Sequence, residues 1–101
     1  MGELQLVKKK ELRGELLRFL LGIYPEQITK ESVYETFYEY WRTDDIDKEL
    51  AYLVDKGYVS RKETPTPFGP SFEKVVNYKL LPDGKDVVDG VTQDNGVFVR
   101  R

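Results

Sequence analysis

Apolar residues recur with a helical period in three stretches of the chain, separated by charged positions and turn residues. Between Thr43 and Gly57, Ile46, Leu50, Leu53 and Val54 fall at i, i+4, i+7 and i+8, on one side of a helix that must face a core. Asp44, Asp45 and Asp47 occupy its first turn, where carboxylates suit the unpaired N–H groups, and Thr43 or Asp44 supplies the cap. Gly57 predicts the stop, because glycine takes up the left-handed conformation that ends a helix cheaply. Residues 8–24 predict an earlier, longer helix with Leu12, Leu16, Phe19, Leu20 and Ile23 as its core stripe. Leu17 and Leu21 widen that stripe toward a second contact, another helix or a partner subunit. Pro25 marks the end. Leu4, Leu6 and Val7 ahead of it either extend the helix or form a short arm.

Residues 30–41 predict a further helix, capped by Thr29 or by a Ser32/Glu35 capping box. Val33, Phe37 and Tyr40 or Trp41 form its inward side, while Tyr34 and Tyr38 lie one turn apart on a neighbouring side. Such aromatics bury much surface and fit inter-helix packing. Arg42-Thr43 is a short turn between two helices. Residues 58–63 and 72–81 then read as two strands around the proline-rich loop 64–70, a hairpin. Pro82 opens a last short helix over 82–89, closed by Gly90. The remainder, 91–101, carries an Asn-Gly turn and Val97-Phe98-Val99, and forms a strand or an arm.

At 101 residues, 40% hydrophobic and 34% charged, the chain fits one domain over 1–90 followed by that C-terminal segment. Without cysteine, disulfides and thiolate metal sites are excluded; a cytoplasmic location is the default, and no run is long and apolar enough to span a membrane. The net charge of −2 speaks mildly against avid nucleic-acid binding, although the distribution of charge matters more than its total.

The end of the hairpin, Tyr78-Lys79-Leu80-Leu81-Pro82-Asp83-Gly84-Lys85-Asp86-Val87-Val88, looks like the passage in which the wing of a winged helix-turn-helix protein runs into a fourth helix, with Leu81 where threonine usually caps. Together with ELLRFLLGIY, DKELAYLVDKGYVSRKE and GKDVVDGVTQDNGV, it resembles small winged-helix proteins of Mu-like prophages, whose function is not established. The resemblance implies an α+β, mostly helical winged helix-turn-helix fold: a three-helix core, a β-hairpin wing and a short C-terminal helix. It also implies a phage-related DNA-binding protein or transcriptional regulator, with double-stranded DNA as partner.

The residues themselves speak both ways. DNA-binding candidates are Arg42, Lys48 and Tyr52 on or beside the third helix and Arg61, Lys62, Lys74 and Lys79 on the wing. Yet residues 44–56 hold five carboxylates against two lysines, a net of −3, which is a poor approach to a polyanion. The alternative is a protein-interaction module on the same fold, with the acidic helix meeting a basic partner. Phe68 at the wing tip is then a candidate to meet a partner, and the apolar arm or the Leu17/Leu21 side a candidate homodimer contact. No catalytic role, metal or cofactor is expected: histidine and cysteine are absent, and no phosphate-binding or nucleophile motif occurs.

Overall fold

A computed structural model of the chain describes residues 2–66 and 74–100. The elements run α1 (Gly2–Gly22), β1 (Gln27–Thr29), α2 (Lys30–Phe37), α3 (Thr43–Asp55), β2 (Val59–Pro65), β3 (Lys74–Leu80) and α4 (Pro82–Asp89). The fold is α+β. Among the described residues the three strands form one antiparallel sheet in the order β1-β3-β2.

The core lies between α1, α3, α4 and the inner side of the sheet. Leu12, Leu16, Leu17 and Leu20 of α1 meet Ile46, Leu50 and Leu53 of α3, Val33 of α2, and Val87 and Val88 of α4. Val59, Tyr78 and Leu80 close it from the sheet. Each fully buried leucine contributes about 1.5–3 kcal/mol relative to its exposed state, so the α1 and α3 stripes supply much of the driving force. Phe19 and Phe37 meet edge to face, with ring centroids 5.6 Å apart, and fasten α2 onto α1.

Several boundaries differ from the sequence reading. The first helix starts at Gly2, so Leu4, Leu6 and Val7 extend it rather than forming an arm. The second ends at Phe37, where Tyr40 and Trp41 N–H groups both turn back to the Phe37 carbonyl. Trp41 therefore folds inward, its indole donating to Glu15 at 3.3 Å, while Tyr40 faces solvent. Thr29 caps α2 by accepting from the Ser32 N–H at 3.3 Å, so no Ser32/Glu35 box forms. The cap of α3 is Arg42, which offers no side-chain bond; neither Thr43 nor Asp44 takes that place, because the helix begins one residue earlier. Gly57 stops α3 at φ +80° as expected.

The strands β2 and β3 pair over Val59↔Leu80 to Pro65↔Lys74. The strand β1 has no counterpart in the sequence reading; it pairs with β3 through Gln27↔Lys79, Ile28↔Tyr78 and Thr29↔Asn77. Residues 91–100 hold no strand. They cross α1 as an arm, with the Phe98 N–H donating to the Lys10 carbonyl at 3.0 Å.

Candidate functional site

The third helix turns Ile46, Leu50 and Leu53 inward, and its opposite side carries Asp44, Lys48, Ala51 and Asp55, all exposed at i, i+4, i+7 and i+11. That line offers two carboxylates, one ammonium and a methyl group. Asp47 beside it accepts a short hydrogen bond from the Tyr34 hydroxyl. Burial first, and then this bond to a carboxylate, raises the Tyr34 pKa, so the phenol stays a donor. Arg42 sits exposed at the head of the helix. Tyr52, expected on the outward side, is instead covered by the Arg13 guanidinium, 3.6 Å above its ring. Its position at the α1–α3 seam removes it from the outward side.

Immediately before α3, the turn leaves Tyr38 and Tyr40 with 67% and 83% of their surface in water. Phe37 and Trp41 face the other way and hold the turn against α1. Two large aromatics therefore stand in solvent just ahead of the exposed Arg42.

The hairpin does not gather its four cations on one side. Residues directly opposite in an antiparallel ladder share a face, and successive residues alternate. Lys62 and Lys79 therefore lie on the outer face of the sheet with Gln27, Thr29, Ser60 and Asn77. Neither lysine makes an ion pair among the described residues. Arg61 and Lys74 lie on the inner side, where β2 and β3 outrun the core. Both pair with Glu63 there, at 3.0 Å and 3.7 Å. A single polyanion on one face of the hairpin thus meets two free ammonium groups rather than four cations.

The other partner-binding candidates move as well. Leu17 is fully buried in the core and Leu21 packs half-buried against it. Leu17 is therefore closed to a partner, and Leu21 offers only its remaining exposed surface. Phe68 lies outside the described residues.

What the sequence reading missed is the seam that seats the arm. Arg13 donates to the Gly96 carbonyl at 2.9 Å and Arg18 to the Arg100 carbonyl at 2.8 Å. Asp94 accepts from the Tyr58 hydroxyl and from the Gly96 N–H, and Lys56 stands 3.4 Å away. Burial raises the Asp94 pKa, but those three donors outweigh it and hold the carboxyl below its ordinary value. Burial, followed by the bond to Asp94, pushes the Tyr58 hydroxyl up to about 12. At Gly14 a side chain would collide with the Phe98 carbonyl, so the bare helix surface there is what admits the arm. A glycine in mid-helix and arginines within an apolar stripe were the available signals.

A groove of about 340 Å³ runs between α1 and the start of α3, lined by Lys8, Lys9, Trp41, Asp45 and Lys48 among others. Among the described residues no group of three or more carboxylates is placed to hold a metal ion, and no helix is long and apolar enough to cross a membrane. Comparison with models of protein families, with curated proteins and with solved structures finds no match.

Proposed function

We propose that the chain is a winged-helix protein-recognition module, whose acidic third helix and adjoining Tyr38/Tyr40 turn receive a basic protein segment. Three helices followed by an antiparallel hairpin whose second strand also pairs with β1 support the winged-helix reading. The observation that carries the functional reading is the outward line of α3, Asp44-Lys48-Ala51-Asp55, which repels phosphate and offers no arginine, asparagine or glutamine to a base edge. The exposed tyrosines beside it add apolar contact area at small entropic cost. The carboxylates nearest the core, Asp47, Glu49 and Asp94, are all engaged in structural bonds, which favours binding over catalysis.

A second reading, binding of double-stranded DNA, draws on Lys62 and Lys79. Both are exposed on one sheet face, beside the buried Asn77, and are without ion pairs among the described residues. Anisotropy titrations at low salt separate the two readings, using a labelled lysine/arginine-rich helical peptide and a labelled mixed-sequence duplex. Protein recognition requires peptide binding that Asp44→Lys with Asp55→Lys weakens about tenfold or more, since close charge pairs across interfaces couple strongly. A duplex that binds below tens of micromolar and is released by Lys62→Glu and Lys79→Glu, with no response to the peptide, would replace this reading by the second.

A further inference from the structure

The first turns of α1 stand clear of the body. Residues 2–9 are all exposed, and Leu4, Leu6 and Val7 present 63%, 46% and 50% of their surface to water. A helix of fewer than roughly 12 residues is marginal in water by itself, and large aliphatics in solvent add to that cost. Something that covers these residues would stabilise the extension.

At 100° per residue, Glu3, Leu6, Val7, Lys10 and Gly14 fall on one stripe, with Leu4 beside Val7. Gln5, Lys8 and Lys9 turn to the other side, into the groove that Trp41 and Lys48 line. The arm covers the Gly14 end of the stripe and leaves Phe98 53% exposed there. Read along α1, the stripe is an acid, a pair of aliphatics, a base and then an aromatic.

We propose that this stripe is a homodimer interface, occupied by the same stripe of a second copy running antiparallel. Glu3 and Lys10 are equidistant from the midpoint between Leu6 and Val7. A two-fold axis there brings Glu3 of each copy against Lys10 of the other and Leu6 of each against Val7 of the other, with Leu4 at the edge, level with the aliphatic stem of Lys9. A parallel pair would set Glu3 on Glu3 and Lys10 on Lys10. The self-complementary order of charge selects the antiparallel copy, the arrangement that an isologous two-fold interface requires. The surface is small, below the roughly 800 Å² per partner of a standard interface, so the dimer forms in the micromolar range and depends on concentration.

Sedimentation equilibrium of the full chain from tens to hundreds of micromolar tests this without reference to the acidic face of α3. The wild-type chain dimerises. Val7→Asp is monomeric, and Glu3→Lys or Lys10→Glu alone weakens the dimer about tenfold. The double variant, Glu3→Lys with Lys10→Glu, restores it. These side chains are outside the core, and the Lys10 carbonyl that receives the arm is unchanged; circular dichroism confirms that each variant is folded. A chain monomeric throughout, a dimer indifferent to Val7→Asp, or a double variant no tighter than the singles would each overturn the proposal.

Discussion

Arg13 Nε donates to Glu49 Oε1 at 2.7 Å, joining α1 to α3 through an ion pair whose side chains keep only 11% and 5% of their surface in water. The same guanidinium covers the Tyr52 ring and holds the Gly96 carbonyl, so a single side chain ties two helices and the arm. The charges have lost most of their hydration. What holds them is the completeness of the network, since every buried side-chain polar atom among the described residues has a partner.

Removing either half of that pair strands the other. Glu49→Ala leaves a buried guanidinium with no carboxylate and is expected to cost about 3–5 kcal/mol of stability, whereas Arg13→Met with Glu49→Leu restores most of it. Urea denaturation of the three proteins measures both effects.

Gly14→Ala acts on the arm rather than on the core. The added methyl meets the Phe98 carbonyl, while helix propensity improves by about 1 kcal/mol. Global stability should therefore change little, yet the Phe98 amide, no longer held at the Lys10 carbonyl, should lose its protection. Amide exchange by NMR distinguishes the released arm from an intact one.

Acid should release the arm through Asp94. Its pKa in the folded chain lies below the ordinary value of 3.8, so its contribution is fully present above that value and is lost as pH falls through the lower, folded one. Asp94→Asn should be less stable than wild type near neutrality and lose less stability on acidification through that window. Denaturation at neutral pH and in the acid range shows whether the two curves converge.

Tyr38→Ala and Tyr40→Ala should separate recognition from stability. Both rings stand in water, so each substitution is expected to stay within about 0.5 kcal/mol of wild type. Leu50→Ala, wholly inside the core, should cost about 2–5 kcal/mol. If the tyrosines belong to the binding surface, peptide affinity falls in the first pair with no shift in the melting temperature.

The elements with strong local patterns were legible in the residues. Ile46, Leu50 and Leu53 are buried, Gly57 and Gly90 end their helices in the left-handed region, and the two strands about the proline loop pair antiparallel. The strand β1 was not legible, because three residues carry no alternation and its existence depends on distant Tyr78 and Asn77. Burial of Leu17 was hidden for a similar reason: α1 is apolar around much of its circumference, and only the tertiary fold shows which sides are covered. Tyr52 was placed outward by helical spacing, and Arg13, far away in sequence, covered it. The hairpin lysines and arginines were countable, but their division between two faces follows from a register that only pairing sets.

The most direct test of the proposed recognition surface is an amide chemical-shift map of the labelled chain, titrated separately with the basic peptide and with duplex DNA. The peptide should move Tyr38, Tyr40, Asp44, Lys48, Ala51 and Asp55 together, and the duplex should leave the spectrum unchanged. Shifts clustered at Lys62 and Lys79 on adding duplex, with the third helix silent to the peptide, would contradict it.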